Sequence, residues 1–397
     1  MLSAIRNAMH LAVKISASSS PSPSSSEDKP VNLAILLDTS GSMDGDRLNA
    51  VKRTLHAARD LFKPTDQITL VTFSDKATTV ANHLHMDADG LTQFYAAVDA
   101  IKADGCTNLS AGIEQLLLLR SDKPYNTILV LTDGIINGGV TSTVGLRTMM
   151  AGIGQMPIVA LGYGADHNRT LLRDLAVRSR GSYTYVDSDE ILPIAMGDLI
   201  GGLRSELYRD VTLRMPDGWF CCELGEGIGS IVPDRDYWVV FQKMADDAEA
   251  SPITLVAGVT TIDTLDRVLV TDCQELQEQV LRCRVAKALF AASDAMERGM
   301  PCGAAIHALA DEFRALPEGM LGRPLVLRMQ AQLAEVEATA REPPTASLLA
   351  RMSSGGAYLS TQRGVTSGGS AGDPQEQLFS SPLQRATSTQ VQSQYNA

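Results

Sequence analysis

The stretch Asp38-Thr39-Ser40-Gly41-Ser42-Met43 follows directly on the apolar run of residues 31–37. It places one carboxylate and two hydroxyls at alternating positions on a glycine-containing turn. Oxygen side chains of this kind are the ligands that a hard divalent cation such as Mg²⁺ prefers. The same residues could instead cap the N-terminus of the following helix, which needs only one of the three side chains. Taken alone, the stretch leaves both interpretations open.

From residue 31 onward, strand-like apolar runs alternate with amphipathic helical patterns. Residues 32–37 and 127–131 are short continuous apolar runs, as expected for strands that are buried on both faces. Between such runs, Leu48, Val51 and Leu55 recur at helical spacing. The alternation predicts an α/β domain over residues 31–207, with a doubly wound, mostly parallel sheet covered by helices on both faces.

The pattern then changes to short strands separated by Gly, Pro and Asp turns. This change predicts a small antiparallel β-sandwich over residues 208–272. Four or five strands make a thin sandwich, and the polar–apolar alternation of residues 10–15 predicts an N-terminal strand within 1–17 that completes it. The rival interpretation of the N-terminus is an organelle transit peptide, because residues 1–14 contain no acidic residue and precede a serine run.

The remaining segments differ from one another in composition. The Ser- and Pro-rich residues 18–30 predict a flexible linker. Helical periodicity over residues 273–342, interrupted by prolines, predicts a bundle of three helices. Residues 343–397 are rich in Ser, Gly, Thr and Gln, so we expect a mostly disordered tail.

The composition argues against several classes of partner. With 34 basic and 46 acidic residues in 397, the net charge of −12 argues against binding to nucleic acid or to an anionic membrane. No apolar run approaches the roughly 18 residues that a membrane-spanning helix needs. The six cysteines form no C-x-x-C pair, which argues against a zinc site and fits a reducing compartment, so we expect a cytoplasmic location.

Two further loops carry oxygen side chains at the predicted carboxyl ends of strands. Thr107 lies just before a predicted helix, and Asp133 follows the apolar run of residues 127–131. In an open parallel sheet, ligands bind outside the carboxyl ends of the strands, where such loops meet. The sequence therefore offers one set of candidate metal ligands: Asp38, Ser40, Ser42, Thr107 and Asp133.

This set resembles the metal-ion-dependent adhesion site (MIDAS) of von Willebrand factor A (VWA) domains, and the resemblance covers about residues 31–200. It implies that Mg²⁺, or else Mn²⁺ or Ca²⁺, is held directly or through water by Asp38, Ser40, Ser42 and Thr107. It also implies that Asp133 anchors a bound water, and that an Asp or Glu of a partner protein completes the coordination. Two acidic groups leave a divalent ion electropositive, which favours an incoming carboxylate.

A narrower resemblance extends beyond this site. Residues 161–167, 181–186 and 200–203 resemble the VWA region of plant and fungal ubiquitin-ligase-like proteins, in which a RING or U-box module accompanies the VWA domain. The cysteine pattern of this chain cannot build a RING zinc site, and no separate stretch is a candidate for a U-box.

Two hypotheses of function follow from the sequence. The first is a non-enzymatic scaffold whose metal site captures an acidic residue of a partner protein in a cation-dependent way. The alternative is a substrate receptor or regulatory component of a ubiquitin-ligase assembly, without a catalytic module of its own. We expect no enzymatic activity, because no G-x-S-x-G stretch joins a predicted strand to a predicted helix, and the chain contains no complete dinucleotide fingerprint and no P-loop.

Overall fold

A computed structural model describes most of the chain, namely residues 2–17, 29–119, 125–153, 156–223, 228–245, 247–271, 273–300, 303–339, 345–362 and 378–397. These residues fall into two compact units. The first unit contains the described residues of 29–205 together with 382–397. The second contains 2–17, the described residues of 206–362, and 378–381.

Strands and helices are numbered separately in chain order. The strands of the described residues are β1 Leu2–Arg6, β2 His10–Ala17, β3 Asn32–Asp38, β4 Gln67–Phe73, β5 Ala77–His85, β6 Thr127–Thr132, β7 Ile158–Tyr163, β8 Ser182–Val186, β9 Tyr208–Arg214, β10 Trp219–Cys221, β11 Gly229–Ile231, β12 Arg235–Lys243, β13 Ile253–Ala257, β14 Thr260–Leu265 and β15 Leu269–Val270. The α-helices are α1 Asp46–Ala57, α2 Ala88–Ala100, α3 Leu109–Leu118, α4 Thr143–Ile153, α5 Arg169–Arg178, α6 Ile191–Ser205, α7 Gln274–Glu297, α8 Gly303–Arg314, α9 Glu318–Leu321, α10 Pro324–Thr339, α11 Ala346–Thr361 and α12 Pro382–Asn396. Among these helices, none is both long and apolar enough to cross a bilayer.

The first unit is built on a six-stranded sheet with the order β5-β4-β3-β6-β7-β8. Only β5 runs antiparallel to its neighbour within this sheet. Leu33, Ile35 and Leu37 pack into a core shared with α1, α2 and α6. On the opposite face, Leu36 lies so close to α3 that a Cβ at Gly112 would be 3.2 Å from it. Helices thus cover both faces, which confirms the predicted doubly wound, mostly parallel sheet.

The topology of this sheet places a crevice at the end of β3. After β3 the chain continues to β4 on one side of the sheet, and after β6 it continues to β7 on the other side. The loops that follow β3 and β6 therefore leave the sheet in opposite directions. Ligand sites of open α/β sheets form at such a switch point. The fold therefore brings the loops after residues 38 and 132 to one location.

The second unit contains a β-sandwich of two sheets, β10-β12-β2-β1-β15 and β11-β9-β13-β14. Alternate residues of β2, namely Leu11, Val13 and Ile15, pack with residues of the other sheet such as Leu255 in one core. The N-terminus supplies two strands where the sequence predicted one. The Asn7 side chain stabilises the turn between them, because its Oδ1 accepts hydrogen bonds from the backbone amides of Met9, at 3.0 Å, and His10, at 2.8 Å. The short β15 pairs with β1 in parallel, the exception in an otherwise antiparallel sandwich.

In the second unit α7, α8 and α10 form the predicted C-terminal bundle, and the short α9 and α11 add to it. We expected residues 343–397 to be mostly disordered, and the structure corrects this for α11 and α12. α11 buries Leu348, Met352 and Leu359 in the core of the bundle. Its composition conceals this face, because small residues fill the rest of the contact: a Cβ at Gly356 would lie 2.7 Å from the Phe290 ring of α7. Disorder inferred from Ser- and Gly-rich composition fails where small residues allow close helix packing.

The last helix, α12, belongs to the first unit and packs along α6. Ser388 is fully buried, and its Oγ donates a 2.9 Å hydrogen bond to the backbone oxygen of Ile194. The contact depends on glycine, because a Cβ at Gly197 would lie 2.4 Å from the Cα of Ser388. Gln384 adds a hydrogen bond of 3.1 Å from its amide to the Asp198 carboxylate. Polar and small residues thus form a helix contact that hydrophobic periodicity does not reveal.

The substitution Gly197→Ala tests this contact. Helix propensity alone would stabilise α6 by about 1 kcal/mol. We expect the reverse, a loss of about 1–3 kcal/mol, because the new methyl group overlaps the backbone of α12. Hydrogen exchange over residues 382–396 should become faster than in the wild type. Gly322→Ala is the matched control, since a Cβ at Gly322 meets no atom within 4 Å. Unchanged protection of α12 in Gly197→Ala would contradict the packing.

A buried ion pair joins the bundle to the sandwich within the second unit. Arg282 of α7 is fully buried and pairs with Glu223, to which its Nη1 donates at 3.0 Å. The same guanidinium donates to the backbone oxygens of Leu359 in α11, at 2.6 Å, and of Trp238 in β12, at 3.2 Å. A buried charge is tolerated only where such partners replace water. Arg282 therefore ties three elements together.

We expect Arg282→Met to destabilise the second unit by roughly 3–5 kcal/mol, because it leaves the Glu223 carboxylate buried without its charge partner. Urea denaturation of the full chain, followed by circular dichroism, measures the change. The control is Arg284→Met, two residues further along the same helix. The Arg284 side chain is half exposed and pairs with Glu312 at 2.6 Å, so its loss should cost about 1 kcal/mol or less. Equal effects of the two substitutions would refute the role of Arg282.

Candidate metal site

Asp38 is the last residue of β3, and its carboxylate lies at the switch point of the sheet. Its side chain is fully buried. Oδ1 accepts a 2.8 Å hydrogen bond from the backbone amide of Ser40, and Oδ2 accepts one of 2.5 Å from the hydroxyl of Thr132. Because Thr132 ends β6, this second bond joins the carboxyl ends of the two central strands.

The environment of Asp38 is short of positive charge. Burial raises the pKa of this carboxyl group, the hydrogen bonds from Thr132 and Ser40 only partly oppose the rise, and the nearby charge of Asp133 adds to it. A raised pKa means that the ionised form is less stable here than in water. A cation beside Asp38 would reduce that penalty.

The two serines of the first loop connect Asp38 to the opposite side of the site. The hydroxyl oxygens of Ser40 and Ser42 lie 3.1 Å apart. Ser42 in turn donates a 2.7 Å hydrogen bond to Oδ1 of Asp133, whose side chain is buried just after β6. A hydroxyl that donates its proton to a carboxylate keeps its oxygen lone pairs free for a cation.

The alternative interpretation of this loop as a helix cap is wrong. Helix α1 begins at Asp46, and its N-cap residue is Gly45, without a side-chain cap. The short 3₁₀ turn Gly41–Met43 starts after Ser40 and also has no side-chain cap bond. Asp38, Ser40 and Ser42 are therefore available for another role.

Thr107 lies on a second loop that abuts the first. The backbone amide of Gly41 donates to the oxygen of Gly105 at 3.0 Å, which holds the two loops together. Thr107 is buried, and its amide donates to the Asn137 side chain at 2.9 Å. Its hydroxyl faces the third loop, because a Cβ at Gly134 would lie only 2.7 Å from Oγ1. Glycine after Asp133 thus keeps room for the Thr107 hydroxyl.

Arg47, in the first turn of α1, contributes a charge to the site that the sequence analysis did not include. Its guanidinium forms an ion pair with Oδ2 of Asp133, whose side chain is completely buried. Nη1 also lies 3.4 Å from the backbone oxygen of Ser42. The guanidinium carbon is 5.9 Å from the centre of the Tyr163 ring, within the range of a cation–π contact. The end of β7 therefore supplies a fourth side to the site.

The structure thus brings all five predicted residues together from three loops. Their oxygen atoms are suitable ligands for a hard divalent cation. Every candidate side chain offers oxygen, as Mg²⁺, Mn²⁺ and Ca²⁺ require. A cluster of three or more His, Cys, Asp or Glu residues suited to a metal is not found among the described residues, so any cation site here depends on hydroxyls. Asp44 and Asp46 are exposed beyond the first loop, as expected for a solvated helix start.

Three contributors were missed by reasoning from the sequence: Thr132, Gly134 and Arg47. The first two lie in the same Thr-Asp-Gly loop as Asp133, and their contacts depend on side-chain directions that spacing does not give. Arg47 did carry a signal. The first turn of a helix favours acidic residues, because the helix dipole is positive there. A basic residue at this position is unfavourable by that rule, and here the Asp133 carboxylate offsets the cost.

The comparisons with known proteins agree with this geometry. Residues 33–135 match the family described as the von Willebrand factor type A domain. A curated relative, inter-alpha-trypsin inhibitor heavy chain H3 of Rattus norvegicus, is 26% identical over 47% of this chain and 22% of its own length. The uncharacterized protein YfbK of Escherichia coli is 28% identical over 41% of this chain and 30% of its own length. The chain thus spans less than a third of each of these two relatives.

Solved structures extend the likeness in fold. A von Willebrand factor type A protein from Catenulispora acidiphila superimposes with a TM-score of 0.68 at 16% identity, covering 91% of this chain and 96% of the other. The ArnB paralog VWA2 from Sulfolobus acidocaldarius gives a TM-score of 0.58 at 15% identity, covering 89% and 93%. With the six-stranded sheet and the family match over residues 33–135, these similarities show that the chain contains a VWA domain.

Proposed function

We propose that this protein is a non-enzymatic scaffold that binds a partner protein through a divalent cation at the carboxyl edge of its VWA sheet. The observation that supports the proposal most directly is the convergence of oxygen side chains from three loops beside two buried carboxylates. Mg²⁺ is the proposed cation, with Mn²⁺ or Ca²⁺ as chemically similar substitutes. A bound cation would supply an electropositive centre for a partner's oxygen.

The residues of the site divide the work between charge and orientation. Asp38 would provide the negative charge nearest the cation, since burial already disfavours its ionised form without one. The hydroxyls of Ser40, Ser42 and Thr107 would add neutral ligands that contribute no further charge. Asp133 would not contact the cation directly, because its Oδ1 already accepts a hydrogen bond from Ser42 and its Oδ2 pairs with Arg47. It would hold the Ser42 hydroxyl, and a water, in place.

An Asp or Glu of the partner is the proposed remaining ligand. So few acidic groups around a divalent ion leave it electropositive, and a carboxylate is the protein group that such a centre attracts most strongly. Ile135 lies two residues after Asp133 and is 62% exposed. It would offer the partner an apolar contact beside the carboxylate.

The ubiquitin-ligase component stays the alternative proposal. It rests on the resemblance of residues 161–167, 181–186 and 200–203 to ligase-like proteins. Both proposals use the same site for the same chemistry, and they differ in which proteins it retains. A cytoplasmic location is proposed with either one, supported by the thiols Cys106, Cys221, Cys222, Cys273 and Cys283, which form no disulfide in the described residues.

The test is a pull-down with the full chain as bait, with Mg²⁺ or with EDTA, and with identification of the retained proteins by mass spectrometry. We expect a set of proteins that the wild type retains only with Mg²⁺. Asp38→Ala should lose this set, because it removes the charge nearest the cation. Asp44→Ala is the matched control, since Asp44 is an exposed carboxylate just beyond the same loop, and it should retain the set.

Thermal unfolding of both variants shows whether the domain stays folded. Recovery of the same proteins with and without EDTA would refute the proposal. Ligase subunits within the Mg²⁺-dependent set would favour the alternative, and a set without them would favour the scaffold.

A further inference from the structure

The ion pair of Arg47 with Asp133 sets the charge of the site. The five candidate ligands include two carboxylates, Asp38 and Asp133, and Arg47 adds one guanidinium, so the sum over these six side chains is −1. With a divalent cation the sum becomes +1. Without Arg47 the same site would change from −2 to neutral. A single residue therefore decides whether the loaded site is neutral or positive.

The guanidinium is held in place from several sides. The Asp133 side chain is fully buried, whereas that of Arg47 is 36% exposed, so the guanidinium group covers the carboxylate from the solvent side. The Tyr163 ring lies against the guanidinium, and the Tyr163 hydroxyl donates to Asp189, which fixes the ring. Gly164 has a φ of +69°, and a Cβ there would lie 3.3 Å from Nη2 of Arg47. The end of β7 is thus shaped around this side chain.

The pair does not compete with the hydrogen bond between Ser42 and Asp133. Arg47 contacts Oδ2 of Asp133, whereas Ser42 donates to Oδ1. The two donors occupy different oxygens, so a cation that used the Ser42 lone pairs would not need to displace Arg47. The guanidinium can therefore act on an ion at the site through its charge while keeping its own hydrogen bond.

We propose that Arg47 is a charge-setting residue of the site, which weakens the binding of a divalent cation and strengthens the binding of a carboxylate to the loaded site. Both effects have one cause, because a fixed positive charge repels the first ligand and attracts the second. This inference rests on the proposed function. The inference goes beyond the proposed function, because it assigns the balance between the two binding steps to Arg47, which is not a metal ligand.

The test compares Arg47→Gln, which keeps a hydrogen-bond donor without the charge, with Arg47→Lys, which keeps the charge. Isothermal titration with Mn²⁺ measures the first step. A charge within about 4–6 Å changes the affinity of a carboxylate for a proton by tenfold or more, so we expect Arg47→Gln to bind Mn²⁺ about tenfold more tightly than the wild type. Arg47→Lys should resemble the wild type.

The second step is measured by titrating acetate into Mn²⁺-saturated protein and following water-proton relaxation. Acetate that replaces metal-bound water lowers the relaxation enhancement. We expect Arg47→Gln to bind acetate several-fold more weakly than the wild type. Arg59→Gln is the control, because it removes an equal charge from an exposed residue of the same unit outside the site, and it should change neither step.

A third measurement needs no metal. In EDTA, Arg47→Gln should lower the midpoint of thermal unfolding in the wild-type background and much less in Asp133→Asn, because the pair is then already broken. A purely structural role of Arg47 would give this result with unchanged Mn²⁺ and acetate affinities, and would overturn the inference. Equal or weaker Mn²⁺ binding by Arg47→Gln would overturn it too. If the wild type binds no Mn²⁺, the proposed function fails together with this inference. The two results above overturn the inference alone, so the two failures are distinguishable.

Discussion

The hydrogen bond from the Thr132 hydroxyl to the Asp38 carboxylate joins the ends of the two strands on which the site depends. β3 and β6 are neighbours in the sheet, and their following loops leave in opposite directions. A buried carboxylate at that point needs donors from both strands, because it has lost water. The bond therefore fixes the relative position of the first and third loops, and the backbone bond between Gly41 and Gly105 adds the second loop.

Charge is the second constraint on this site. Asp38 and Asp133 are both buried, and a low dielectric makes two nearby negative charges costly. The domain reduces that cost unevenly: Asp133 has Arg47 as a partner, whereas Asp38 has only neutral donors and a raised pKa. The carboxylate without a charged partner is therefore Asp38, at the end of β3. This asymmetry supports the proposal that a cation would bind on the side of Asp38, with Asp38 as its acidic ligand.

The sequence was sufficient where one physical rule dominated. Apolar runs such as residues 32–37 predict strands buried on both faces, and the rule for open sheets places the following oxygen side chains together. The sequence was insufficient where helices pack through small or polar groups. The α6–α12 contact depends on Gly197 and Ser388, and the packing of α11 depends on Gly356. Such residues do not contribute to hydrophobic periodicity, so the pattern does not reveal these contacts. Arg47 was missed because its partner lies 86 positions away in the chain.

The central claim is that these hydroxyls and Asp38 hold a divalent cation. Anomalous diffraction from crystals of the full chain grown with Mn²⁺ tests it most directly. We expect a single strong peak bounded by the Asp38 carboxylate and the hydroxyls of Ser40, Ser42 and Thr107, with the Arg47–Asp133 ion pair intact. A map at saturating Mn²⁺ without a peak among these side chains would contradict the account.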